Sequence, residues 1–314
     1  MKICRFLSTA GLGAAFLFTL IAAPAVAHAA QGSREVRTIM TAIPKKSEEP
    51  PSIQPSDLKV KVDGRAAEVT SVTPLRGENA GLQLVILIDS GARESLAQQL
   101  NDIVSFVKSL PPTTEVAIAY MMNGRAIFER PFTANKDLAL QALHMPGGTV
   151  GSSASPYFCI SQLANHWPSH NMNMRREVVA ITDGIDPYEV QFDPEDPYVR
   201  TAVRDAIRNG VVVDAIYWHD MGIASHIDYL VSGGQSLLGI VTGETGGSFY
   251  YQGFGNPVSF QPYFRELSKR LDNQYELNFL VPAKVKQQYP SLKVKLMVPD
   301  MKMRTPHMVY VPKS

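Results

Sequence analysis

Two aspartates stand where apolar runs stop. "LQLVILIDSG" carries Leu82 through Ile88 into Asp89, and "REVVAITDG" carries Val178 through Thr182 into Asp183. A carboxylate at the tip of a buried strand can hold a divalent cation, because small hard ions take shells of oxygen ligands. The competing reading is structural: such an aspartate hydrogen-bonds its own turn. Histidine offers other chemistry. His166 and His170 in "NHWPSH" have the i, i+4 spacing of a metal pair. Pro168 between them breaks a helix, and no glutamate follows His166, so solvated or capping histidines are expected. His219, Asp220 and His226 follow an apolar run, but the Gly-x-Ser-x-Gly elbow of a hydrolase is missing. "DSGAR" lacks the second aspartate of a phosphatase nucleophile pair. "TGETGG" lacks the Lys-Ser or Lys-Thr of a phosphate-binding loop.

One loop is unusually acidic. "DGIDPYEVQFDPEDPY" crowds Asp186, Glu189, Asp193, Glu195 and Asp196 together without the spacing of an EF-hand. It reads as a solvated loop, as a weak calcium site, or as a recognition surface anchored by Tyr188 and Tyr198, since aromatics anchor interfaces well.

The elements that must position these residues change rhythm along the chain. Leu58, Val60 and Val62 alternate with Lys59 and Lys61, and Asp63-Gly64 is a hairpin turn signal. From Leu82 the pattern becomes continuous apolar strands alternating with amphipathic helices. In "ESLAQQLNDIVSFVKSL", Leu96, Leu100, Ile103, Val104 and Val107 share one helical face. "TEVAIAYMM" and "RAIFERPF" flank Asn123-Gly124, and the loop "PGGTVGSSAS" separates two helices. "YVRTAVRDAIRNG" places Gly210 at a helix C′ position. "VVVDAIYW", "SFYY" and "YELNFLVP" read as further strands. This pattern predicts an α/β fold: a doubly wound, mostly parallel sheet flanked by helices. Ligands of such sheets bind outside the carboxyl ends of the strands, where Asp89 and Asp183 sit. The expected organisation is a leader at 1–29, a linker at 30–56 containing "PKKSEEPPSIQP", a β-hairpin segment at 57–80, the α/β domain at 81–282 and a β segment at 283–314. "SLKVKLMVP" and "HMVYVP" in the last segment alternate and are expected to pair with the hairpin as a small β module.

The leader carries Lys2 and Arg5, then a largely apolar Leu7 to Ile21, then small residues at Ala25, Ala27 and Ala29. This is the pattern of a cleaved Sec-type signal peptide, too short for a membrane span. Export to the periplasm or beyond is expected, with no stable span after cleavage. Loss of Lys2 and Arg5 with the leader takes the net charge from +1 to −1, so no basic excess points to nucleic acid. Of the two cysteines, Cys4 leaves with the leader and Cys159 remains. One thiol makes no internal disulfide, and among apolar neighbours it reads as a small buried hydrophobe.

"LQLVILIDSG", "PGGT" and "REVVAITDG", in this order, resemble a von Willebrand factor A (VWFA) domain, a Rossmann-like fold. "TGETGGSFYY", a helix and "YELNFLVP" resemble more specifically the secreted VWFA-related proteins of acidobacteria. The resemblance covers about residues 57–312. It implies a metal-ion-dependent adhesion site (MIDAS) built from an Asp-x-Ser-x-Ser motif, a threonine and a later aspartate. Carried over, Asp89 matches the first aspartate, Thr149 the threonine and Asp183 the later aspartate. Gly91 and Arg93 stand in the two serine positions. Glycine offers no side-chain oxygen and arginine brings a fixed positive charge, so the implied site is degenerate. Arg93 either folds back onto Asp89 and Asp183 in place of the ion or points into solvent. Ser90, Ser95, Ser152 and Ser153 supply oxygens at other spacings.

The expected function is a secreted or periplasmic protein-interaction module, adhesive or scaffolding, and not an enzyme. Loops after Asp89, Thr149 and Asp183 would form its contact face, with Ser90, Arg93, Asp186, Tyr188 and Glu189 as surface residues. The partner is an unidentified protein. No resident cofactor is expected, Mg²⁺ or another divalent cation being the candidate ion. The alternatives are a metal-dependent hydrolase using Asp89, Asp183 and a base such as His219, and a purely structural envelope protein.

Overall fold

The computed structural model describes residues 34–313 except 47–48, 150, 190, 222–226 and 254. The expected leader and Cys4 lie outside the described residues. Among those described, no helix is long and apolar enough to cross a membrane.

An α/β sheet holds the candidate site. β4 (Leu82–Asp89) is its spine, every residue buried. It lies between β5 (Thr114–Met122) and β7 (Arg175–Thr182), both parallel to it. β8 (Val211–Tyr217) and β9 (Phe249–Tyr250) continue the parallel run. β6 (Arg125–Phe128) folds back antiparallel on the other edge. Side chains alternate across a strand, and β4 shows the consequence. Leu84, Ile86 and Ile88 face a core shared with α1 (Leu100–Ser109), α2 (Lys136–Leu140) and α6 (Gln261–Asp272). Val85 and Leu87 face a second core shared with α3 (Pro156–Asn165), α4 (Pro197–Arg208) and α5 (Asp228–Thr245). Phe106 and Phe264 stack at 4.3 Å to join α1 to α6. The helix expected from Glu94 opens instead as a 3-10 turn, Glu94–Gln99.

The second sheet is antiparallel throughout, in the order β11-β2-β3-β10-β1-β12. β2 (Leu58–Val62) and β3 (Arg65–Pro74) turn through Asp63 and Gly64, both at positive φ. β11 (Leu292–Leu296) pairs with β2, and β12 (Met301–Arg304) with β1 (Arg34–Pro44). Two expectations are corrected here. The stretch read as a linker contains β1, which pairs with both β10 (Gln274–Val281) and β12. β10, placed with the α/β domain, belongs to the antiparallel sheet, where β1 and β3 flank it. Its apolar alternation serves the core formed by Met40, Val60, Tyr275, Leu277 and Phe279. Across the β2–β11 pair Lys61 faces Lys293 and Lys59 faces Lys295, all exposed.

A buried polar seam connects the sheets. Arg270 on α6 pairs with Asp214 on β8, with side chains 1% and 0% exposed. Arg270 also donates to the Gly246 carbonyl at 3.1 Å, while Asp214 accepts from the Ser248 amide at 2.7 Å. Glu177 on β7 accepts from Gln274 Nε2 on β10 at 3.0 and 3.1 Å. Arg175 donates to the Leu75 carbonyl, at the end of β3, at 2.8 Å. Burial, and then the charge of Asp214, push the Glu177 carboxyl up to about 8.

Breaking a buried pair strands a charge, so Arg270→Ala should lower the unfolding free energy by about 3–5 kcal/mol in urea titration. Asp214→Leu with Arg270→Leu should lose less, because neither charge remains. An unfolded glutamate titrates near 4.5, well below the folded value of about 8. Between these values the folded state holds the extra proton, so stability falls as pH rises through this window, by at most about 1.4 kcal/mol per pH unit. Glu177→Gln should flatten that slope in melts taken from pH 5 to pH 8.

Candidate functional site

Both strand-tip aspartates are buried, Asp89 at 3% exposure and Asp183 at 7%. Adjacent parallel strands bring them together, since Ile88 is in register with Ile181. Asp89 Oδ1 accepts from the Gly91 amide at 2.9 Å, and Oδ2 accepts from the Thr182 hydroxyl at 2.8 Å. Asp183 Oδ1 accepts from the Ile185 amide at 2.9 Å. Burial raises the Asp89 carboxyl, against hydrogen bonds from Gly91, Thr182 and Ser153 that lower it. Burial, and then the charge of Asp89, push Asp183 up to about 8. At neutral pH the pair therefore carries one proton, on Asp183, more readily than two charges.

The neighbouring residues are held by close backbone approaches. A Cβ at Gly148 would stand 2.6 Å from the Ser90 carbonyl oxygen, so "PGGT" lies directly on the turn after β4. A Cβ at Gly234 would stand 2.5 Å from the Asp183 carbonyl oxygen, which fixes α5 against the turn after β7. Ser90 is buried; its hydroxyl donates to the Met121 carbonyl and meets Ser152 Oγ at 3.0 Å. Thr149 is exposed, and its carbonyl accepts from the Ser152 amide at 3.0 Å. Arg93 is exposed, its amide donating to the Asp220 carbonyl at 3.1 Å. Of the two positions open to Arg93 it takes the solvent one. No ion pair joins it to Asp89 or Asp183 among the described residues. Ser95 donates to the Asp220 carboxylate.

The acidic loop is not uniformly solvated. Asp186 is 2% exposed, accepting from the Ser155 hydroxyl at 2.8 Å and from the Tyr188 amide at 2.9 Å. Burial raises its carboxyl. Asp196, also buried, caps α4 by accepting from the Tyr198 and Val199 amides. Asp186 and Ser90, expected on the contact surface, are instead internal braces. The exposed residues include aromatics beside Asp193 and Glu195: Tyr188, Phe192 and, at the start of α4, Tyr198 are 61%, 51% and 40% exposed. Phe158 supports Tyr188 and Tyr198 with ring centroids at 5.3 and 4.7 Å. Glu189 is half-buried beside them and accepts from the Gln191 amide at 3.3 Å. His166 ends α3 in solvent, with Nδ1 on the Gln162 carbonyl at 3.0 Å. His219 Nδ1 meets the Tyr217 hydroxyl at 3.1 Å. Cys159 is buried, and burial raises its thiol.

Sequence reasoning missed Thr182, the hydroxyl on Asp89. It was counted as the last member of an apolar run, although its place beside Asp183 at a strand end was a signal. It also missed the capping role of Asp196, for which Pro197 at the first helical position was the signal.

The chain is similar to von Willebrand factor A domains. One example is an aerotolerance-related membrane protein from Bacteroides fragilis, at 14% identity, covering 61% of this chain and 99% of that one, TM-score 0.43. A second is the SpRpn10 VWA domain, at 16% identity, covering 55% and 87%, TM-score 0.37. A third is proximal thread matrix protein 1 of the mussel byssus, solved with zinc in its MIDAS motif, at 15% identity, covering 65% and 47%, TM-score 0.41. No protein-family model and no curated protein matches the sequence. The two buried strand-tip carboxylates are a stored electrostatic load. Asp183→Asn should therefore stabilise the fold at pH 5 and more so at pH 8, because the wild type loses up to about 1.4 kcal/mol per pH unit between the unfolded value of 3.8 and the folded value of about 8. Calorimetric melts at the two pH values check this.

Proposed function

We propose that the chain is an exported protein-interaction module, adhesive or scaffolding, with no catalytic activity. Its contact face is formed by the loops at the carboxyl ends of the strands, on a doubly wound sheet whose metal site is degenerate. One observation carries the reading. Exposed Tyr188 and Phe192 on the acidic loop, and Tyr198 in the first turn of α4, lie over buried Asp186 and Asp196, which accept from the Tyr188 and Tyr198 amides. Rigid, half-supported aromatic groups are the residues that anchor protein interfaces. The donor set does not fit a MIDAS ion. Both Asp89 oxygens already take protein hydrogens, Gly91 supplies no side-chain oxygen, and the Thr149 and Arg93 side chains are exposed. A hydrolase would need a base on the aspartates, and His219 Nδ1 meets Tyr217 instead.

Calorimetric titration of Mg²⁺, Mn²⁺ and Ca²⁺ into the wild type, Asp89→Ala and Arg93→Ser tests the ion. Silence in the wild type is expected. Saturable wild-type binding lost in Asp89→Ala would overturn the degenerate reading. For the surface, Tyr188→Ala with Phe192→Ala should weaken capture of an envelope partner by about 30-fold or more, the effect of losing a 2 kcal/mol anchor. Unchanged capture would place the contact face elsewhere.

A further inference from the structure

A cavity of about 250 Å³ lies at the end of the α/β sheet opposite Asp89 and Asp183. It is bounded by β1, by the first residues of β7 and β8, and by the chain near Met308 and Tyr310. Its size is just below the usual range for ligand cavities, about 300–1,000 Å³. One part of the wall is apolar and adaptable, with Val36, Ile39, Met172, Met174 and Met308. Methionine is flexible and polarizable, and fits irregular apolar guests. The other part is cationic: Arg37, Arg175, Arg176 and Arg208 contribute four guanidinium groups against two carboxylates, Glu35 and Glu276.

Those carboxylates are already engaged. Glu276 pairs with Arg37 at 3.4 Å, and Glu35 accepts from the Thr70 hydroxyl at 2.6 Å. Arg176 has no such partner. It is 6% exposed and donates only to neutral acceptors: the Ser169 carbonyl and Met172 sulfur, both at 3.1 Å, and the Asn209 carbonyl at 3.4 Å. The Trp167 ring lies 5.5 Å from its guanidinium carbon. Its Nε has no hydrogen-bond partner. Among the described residues no carboxylate forms an ion pair with Arg175 or Arg176. Arginine stays charged when buried, and buried charges are normally paired. Burial, and then the nearby charge of Arg37, both act against the Arg176 cation. The chain has thus built a buried positive charge beside an apolar hollow without supplying its counter-ion.

We propose that this cavity binds a small organic monocarboxylate with an apolar body. The apolar body lies along the methionine wall, and the carboxylate supplies the missing negative charge beside Arg176 and Arg37. A planar carboxylate suits the forked donors of arginine.

Calorimetric titration of the full chain with sodium decanoate below its micellar concentration tests this. Decan-1-ol is the uncharged control. The expected result is one saturable decanoate site, with decan-1-ol at least ten-fold weaker. Arg176→Gln should weaken decanoate at least ten-fold and leave decan-1-ol unchanged. Met308→Trp, which puts a larger side chain into the hollow and leaves every arginine in place, should abolish decanoate binding while the melting transition stays cooperative. Absence of saturable decanoate binding would overturn the proposal. So would equal affinity for the two probes, or decanoate binding that survives Met308→Trp. The Met308 variant and the two-probe comparison keep the test decisive even if Arg176→Gln fails to fold.

Discussion

Arg270 is shut away from water near the end of α6, and everything it touches lies on a different element. Asp214 comes from β8, the Gly246 carbonyl from the end of α5, and the Ser248 amide on the same carboxylate from the approach to β9. Three residues after Arg270 the chain passes Asn273 and enters β10. The pair therefore fixes the point at which the chain leaves one sheet and joins the other. Charges buried in this way are sensitive to geometry, because each is tolerable only while the other is in reach. Glu177 and Gln274 extend the same seam across the two sheets.

Charge is sorted along that sheet. Carboxylates gather at the strand tips, where Asp89, Asp183, Asp186 and Asp196 are all buried. Guanidinium groups gather at the strand roots, with Arg175 and Arg176 opening β7. Helix starts make the acidic end tolerable. Ser155 begins α3 and donates to Asp186, while Asp196 begins α4 and accepts its first free amides. The positive ends of helix dipoles are a favourable place for anions. This helps Asp186 and Asp196 to lie under the loops without cationic side chains on them, while burial pushes the Asp89 and Asp183 carboxyls up. It also makes the loops above them stiff, since each carboxylate ties down backbone amides.

Some of this was legible in the sequence for local reasons. β4 is apolar almost throughout because both its faces are covered. Asp63-Gly64 reads as a turn because both residues adopt positive φ. β1 was not legible. "REVRTIMTAIP" mixes charges, threonines and a final proline, and its partners are remote, Arg34 pairing with Val281 and Pro44 with Met301. Nothing within its own window encodes that pairing. The two site aspartates were legible as strand ends, while their setting was not. Whether Arg93 turns inward, or Asp186 outward, depends on loops whose course is set by Gly148, Gly234 and the helix caps. Such close approaches leave a glycine in the sequence but not its neighbour.

The facing lysines of β2 and β11 have a consequence for how the molecule meets others of its kind. β11 is the last strand of its sheet; its Leu292 amide is taken by the His307 carbonyl at 2.8 Å, and an open strand edge beyond such a contact is a template on which another strand can add. Here Lys59 and Lys61 already face Lys295 and Lys293, so the pair is held by Leu58, Val60, Val62 and Leu292 on its buried side and opposed by repulsion on its outer side. A second copy laid along β11 would bring another row of ammonium groups at a strand spacing of about 4.8 Å. That is inside the screening distance of about 8 Å in physiological salt. Ionic strength therefore bears on whether this edge accepts another strand.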